Sequence, residues 1–174
     1  NTDQFNINRE VKNIRLEYNI NENDFLVGIV SVLRSWKGHN YLIEAIKISK
    51  KTIPNIRLII VGSGPQKKML YNLIKNLDLE AHIIMAGFQP DPAPFYKAMD
   101  LMILPSYSGE ATSQVLPQAM LMGKPVISTA TGGLTEVVIH NDTGIIIPSK
   151  NSMAIADAIN ILYKDKNLRN RIAS

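Results

Sequence analysis

The sequence predicts an α/β fold, an open parallel sheet of about six strands with helices on both faces, on three observations. Short apolar runs rich in β-branched residues recur along nearly the whole 174-residue chain. Continuous rather than alternating hydrophobicity suits strands buried on both faces. Between the runs lie segments with apolar residues at helical spacing, and the alternation of the two implies βαβ units with right-handed crossovers.

Residues 1–24 hold no such run and read as a segment leading into the first strand. "FLVGIVSVL" (25–33) is that strand, and "GHNYLIEAIKISKK" after it sets Leu42, Ala45, Ile46 and Ser49 on one helical face. "IRLIIVG" (56–62) is the second strand, followed by a turn in which Pro65 is expected to start a helix. "HIIMAG" (82–87) is the third, and "QPDPAPF" (89–95) is a rigid loop entering a short helix. "DLMILPS" (100–106) is the fourth. Pro117 cannot sit deep inside a helix, so the next helix is expected to start shortly before it, with Thr112 or Ser113 as N-cap. "PVIST" (125–129) and "GIIIPS" (144–149) are the last two strands, and "NSMAIADAINILY" aligns Ile155, Ile159 and Leu162 on one helical face. Residues 166–174 are expected to begin a helix that completes itself on a partner domain.

Composition narrows the function classes. A hydrophobic content of 45% is ample for the core of one domain. The net charge of +4 favours anionic partners without choosing among nucleic acid, phosphorylated small molecules and membrane surfaces. The absence of cysteine excludes disulfides, zinc–thiolate sites and a cysteine nucleophile. His39, His82 and His140 are scattered without ligand spacing and read as structural or surface residues, so no metal is expected. No apolar run approaches the roughly 18 to 20 residues that span a bilayer, so a soluble domain is expected. The opening "NTDQFNINRE" lacks a starting Met and signal-peptide features, and reads as the interior of a longer protein.

In an open parallel sheet, ligands bind at the carboxyl ends of the strands. There "RSWKGH" (34–39) offers Arg34 and Lys37 beside Gly38 at a helix start, a plausible cradle for a diphosphate or two solvated cations. "GSGPQ" (62–66) is only G-x-G and reads as a structural turn rather than a dinucleotide fingerprint. Gly132 and Gly133 in "TATGGLTE" (129–136) bring backbone N–H groups to another helix start, for a ligand or for a glycine turn alone. In "SYSGEATSQ" (106–114), Glu110 stands in the loop while the N–H groups from Ala111 to Val115 face the same cleft. An acid beside N–H donors suits a polyhydroxy, phosphorylated ligand such as a nucleotide sugar.

The order "SVLRSWKGHNYLIEA", "LIIVGSGP", "IIMAGFQPD", "FYKAMDLMILPS", "GEATSQVLPQAMLMGKPVISTATGGLTEVV" and "TGIIIPS" resembles the C-terminal, Rossmann-like donor domain of GT-B retaining glycosyltransferases of family 4, also called group 1. That resemblance covers about residues 25–165, with "NTDQF" similar to the segment just after the family's interdomain linker and residues 1–24 thus a post-linker segment, and implies a cytoplasmic enzyme of bacterial surface polysaccharide or lipopolysaccharide synthesis. An N-terminal domain outside this chain would bind the acceptor glycan or lipid-linked sugar, and the full-length enzyme would touch the membrane peripherally. No cofactor, metal or nucleic acid is implied; the nucleotide sugar is substrate. Position by position, Lys37 matches the lysine that holds the donor diphosphate, and Glu110 matches the first acid of a Glu-x7-Glu motif, which contacts the transferred hexose; these two are the expected catalytic residues. Val32 takes the place of the family arginine, with Arg34 as its candidate substitute, and Gln118 takes that of the second acid, which grips the ribose. Gly38, Gly87, Phe88, Ala111, Thr112, Ser113, Gln114, Gly132 and Gly133 complete the expected donor-binding set. Other readings of the same residues are a GT-B nucleotide-sugar epimerase, a non-catalytic nucleotide-binding module and, lacking its fingerprint, a Rossmann oxidoreductase domain.

Overall fold

The computed structural model describes residues 2–110 and 113–173. Six strands, β1 Phe25–Val30, β2 Ile56–Val61, β3 Ile83–Gly87, β4 Leu101–Leu104, β5 Val126–Thr129 and β6 Ile145–Ile147, form one parallel sheet. Their order is β3-β2-β1-β4-β5-β6. All six strands lie where the apolar runs placed them, each shorter than its run by one to three residues at one or both ends.

Successive side chains of a strand point to opposite faces, so each strand feeds two cores. Phe25, Val27 and Ile29 of β1 and Leu101 and Ile103 of β4 face one core, with α2 His39–Ser49, α3 Lys67–Asn76, α7 Ser152–Lys164 and α8 Lys166–Ile172. Leu26, Met102 and Leu104 face the other, with α1 Ile14–Glu17, α4 Ala93–Ala98, α5 Val115–Leu121 and α6 Leu134–Val137. Leu42, Ala45, Ile46 and Ser49 of α2 and Ile155, Ile159 and Leu162 of α7 are all buried, as their spacing required. Each fully buried aliphatic side chain contributes about 1.5–3 kcal/mol, so the two cores carry the domain.

Two expectations are corrected. The N-cap position of α5 is Gln114, with no side-chain hydrogen bond; Ser113 lies outside the helix and Thr112 outside the described residues. Pro65 does not open α3, which begins at Lys67, because Gln66 N–H is drawn back to the Leu33 carbonyl at 3.0 Å. The tail begins a helix as expected, and the described part of it packs on this domain: Ile172 is buried, and the Arg169 guanidinium donates to the carbonyls of Leu162 and Tyr163 at 2.9 and 3.3 Å.

The segment before β1 is likewise built in. Phe5, Ile14 and Ile20 join the second core, and Arg15 donates to the Ala98 carbonyl at 3.0 Å and to Asp100 at 2.8 Å. Beyond α5, a side chain at Gly123 would meet Ile7 at 2.9 Å and the Ala173 carbonyl at 4.0 Å, so the segment before β1 and the end of α8 pass this one point.

Candidate functional site

A crevice opens in such a sheet where adjacent strands send their following helices to opposite faces. Here that place lies between β1 and β4, since α2 packs on the first core and α5 on the second. The loops leaving β1 and β4 are therefore thrown together. Tyr107 N–H donates to the Trp36 carbonyl at 2.8 Å, and Gly38, at φ 75°, lies so close that a side chain there would meet the Pro105 carbonyl at 2.2 Å. Only glycine takes that approach and that backbone conformation together.

This contact brings Lys37, at the end of the 3-10 turn Ser35–Lys37, onto Glu110. Lys37 Nζ lies 2.5 Å from Glu110 Oε1, and Ser106 Oγ donates to the same oxygen at 2.5 Å. The carboxylate is 4% exposed. Burying a charge costs several kcal/mol unless it is paired and hydrogen-bonded, and the ammonium and hydroxyl meet both conditions. From behind, Gly133 N–H donates to the Glu110 carbonyl at 2.8 Å, and Gly132, at φ 56°, leaves the room this needs: a side chain there would lie 2.0 Å from that carbonyl oxygen.

Above the pair lies a cleft of about 480 Å³, walled by Val32, Lys37, Glu110, Ser113 and Gln114 among others. Hollows of similar volume occur along α3 and beside α8, so position and chemistry, not size, single this one out. His39 is buried at its edge, with Nε2 3.0 Å from Ser31 Oγ. Burial, with a smaller contribution from the Lys37 charge and against the pull of the Arg34 backbone, lowers the His39 pKa to about 4, which keeps the imidazole neutral at neutral pH.

Of the residues singled out in the sequence, Lys37, Glu110, Ser113 and Gln114 share the cleft. Ala111 and Thr112 lie outside the described residues. Arg34 does not line it: its guanidinium is exposed and stands 5.6 Å over the Trp36 ring, the pull of an aromatic face replacing that of a phosphate. Gln118 is turned away, its Oε1 accepting from the buried Tyr96 hydroxyl at 3.2 Å. Gly38 serves loop packing, and the Gly133 N–H is not bare but spent on Glu110. Gly87 and the exposed Phe88 sit at the end of β3, two strands from β1 and outside the cleft wall. Glu110 is not the free loop carboxylate its surroundings in sequence suggest. The sequence reading missed its pairing with Lys37 and the part of Ser106 and Thr129, whose hydroxyl donates to the Ser106 carbonyl; polar residues ending the runs of β4 and β5 were the available signal. Among the described residues no group of three or more His, Asp or Glu could hold a metal ion, and no helix is long and apolar enough to cross a membrane.

The family model described as "Glycosyl transferases group 1" matches residues 10–174. The N-acetyl-alpha-D-glucosaminyl L-malate synthase of Bacillus anthracis is 32% identical over 161 residues, which are 92% of this chain and 42% of that protein. The lipopolysaccharide core biosynthesis glycosyltransferase LpsE of Rhizobium meliloti is 29% identical over 79% of this chain and 39% of its own length. Anabaena HepE, solved with UDP-glucose, superposes with a TM-score of 0.91 at 30% identity, covering 100% of this chain and 48% of HepE. The chain thus spans less than half the length of these relatives.

Proposed function

The chain belongs to the group 1 glycosyl transferases, and from that premise we propose that it is the donor-binding domain of an enzyme that transfers a sugar from a nucleoside diphosphate sugar to an acceptor. The observation that carries this reading is the Lys37–Glu110 pair at the floor of the β1/β4 cleft. An ammonium and a carboxylate placed side by side offer the two groups such a donor requires. Lys37 neutralises charge on the diphosphate, more so as the leaving group gains charge in the transition state, and Glu110 accepts a hydrogen bond from a sugar hydroxyl. Ser113 and Gln114, just ahead of α5, hold the donor from the opposite wall. Positioning and electrostatic stabilisation supply the catalysis, without a resident metal.

HepE, solved with UDP-glucose, makes uridine the base to test first. The acceptor class we favour is a bacterial surface glycan or glycolipid, on the strength of the name of LpsE, with transfer retaining the anomeric configuration. Such an enzyme would work at the cytoplasmic face of the membrane. Incubating the full-length protein with a panel of nucleotide sugars headed by UDP-glucose, with and without lipid-linked acceptors, is the test. Release of nucleoside diphosphate together with an α-linked product from an α-linked donor, read by NMR, is expected. No turnover of any nucleotide sugar overturns the function, and a β-linked product overturns retention alone.

A further inference from the structure

We infer that Ser106 is a positioning residue for Glu110, held in place by Thr129, and that these buried hydroxyls fix the orientation in which the carboxylate meets the sugar. The inference rests on the reading of Glu110 as the sugar-facing acid. Ser106 is fully buried and so is outside the reach of ligand; its single hydroxyl proton goes to Glu110 Oε1 at 2.5 Å. Its carbonyl accepts from Thr129 Oγ1, itself buried, and the Thr131 hydroxyl lies 3.2 Å from that of Thr129. Because β4 and β5 are neighbours, with Leu104 opposite Ser128, the chain ties the loop after β4 to the end of β5.

The consequence lies in how the two carboxylate oxygens are used. Oε1 receives both Lys37 and Ser106, whereas among the described residues no donor reaches Oε2. Oε1 is thereby engaged inside the protein, and Oε2 is the oxygen left for a hydroxyl of the donor sugar. Turning the carboxylate away from this orientation would give up two charge-assisted hydrogen bonds, which are about twice as strong as neutral ones. Ser106 thus acts on the reaction only through Glu110.

The test is a double-substitution cycle in the full-length enzyme, using whichever nucleotide sugar of a panel headed by UDP-glucose wild type turns over fastest. Ser106→Ala is expected to lower kcat about tenfold, the size of one hydrogen bond to a charged group, with UDP affinity by calorimetry within about twofold of wild type. In a Glu110→Gln background the same substitution is expected to cost nothing more, since the carboxylate it orients is gone. Thr129→Val, which removes the hydroxyl at constant shape, is expected to lower kcat about threefold, and Thr129→Ser to restore it; this pair reads the chain even if Ser106→Ala folds poorly. If Glu110→Gln is impaired while Ser106→Ala and Thr129→Val are not, or if the Ser106 and Glu110 losses multiply, the inference is wrong. If Glu110→Gln turns over as wild type does, the reading of Glu110 falls, and the inference with it.

Discussion

His39 makes the stability of this domain depend on pH in a range where carboxylates are largely silent. The imidazole is 2% exposed, bonds Ser31 through Nε2, and has a folded-state pKa near 4 against 6.5 for the free side chain, chiefly because burial disfavours its charged form. Above about pH 6.5 it is neutral in both folded and unfolded chains and the contribution is intact. As pH falls through 6.5 the unfolded chain takes up a proton that the folded chain refuses until about pH 4, so stability is lost across that window and levels off below it. With 1.36 kcal/mol for each pH unit, the gap between 6.5 and about 4 corresponds to about 3 kcal/mol, of which about 2 kcal/mol falls between pH 7.5 and pH 5. Urea unfolding of residues 1–174 at pH 7.5, 6.5, 5.5 and 5.0, followed by circular dichroism, measures it. His39→Gln, which keeps a polar group for Ser31 but cannot charge, is expected to flatten the curve over the same interval. An equal pH slope in wild type and His39→Gln would refute the assignment.

Lys37→Ala removes the cation from a carboxylate with almost no access to water, so it is expected to cost about 1–3 kcal/mol of stability, much of it recovered in Lys37→Ala/Glu110→Gln, and to weaken UDP binding by about 1.5–3 kcal/mol; paired urea melts and calorimetry check both. Gln118→Ala strips the buried Tyr96 hydroxyl of its acceptor, and a loss of about 1–3 kcal/mol of stability with UDP affinity unchanged is expected. A large loss of affinity at full stability would instead return Gln118 to the ribose. Arg34→Ala is expected to leave UDP affinity as it was, because the guanidinium rests on Trp36 outside the cleft. Amides of α8 are expected to exchange slowly, in keeping with buried Ile172 and the Arg169 bonds, and fast exchange there would contradict the docking described.

The sheet was legible because its signal is local: runs such as "LIIV" in β2 and "LMIL" in β4 are apolar on both faces, short, and set between amphipathic segments, which suits a doubly covered strand. Strand order was not legible in the same way, since the β1–β4 pairing joins residues more than seventy positions apart. That pairing alone puts Lys37 on Glu110. A carboxylate in a polar, glycine-bearing loop looks solvated when read along the chain, and its burial follows only from loops that converge across the sheet edge. Gln118 illustrates the converse. Its distance along the chain from Glu110 is right for a shared ligand, but the buried Tyr96 hydroxyl needs an acceptor, and that requirement captures the amide oxygen. The packing of the tail on this domain was not legible because "NLRNRIAS" has few apolar residues; Leu168 and Ile172 seat the helix as Arg169 reaches the last carbonyls of α7.

Ile7 and Ala173 pass the same glycine, Gly123, and this makes residues 7–173 nearly a ring. A few residues joining one end to the other would close it without moving any strand, and a cut at the exposed turn Glu80–Ala81, between α3 and β3, would give it new ends. Closure would act chiefly by removing conformational freedom from the unfolded chain, since Ile7 and Ala173 already lie beside one residue in the fold. The order in which the βαβ units leave the ribosome is therefore separable from the architecture that holds Lys37 against Glu110: the cleft depends on which strands are neighbours, not on where the polypeptide starts.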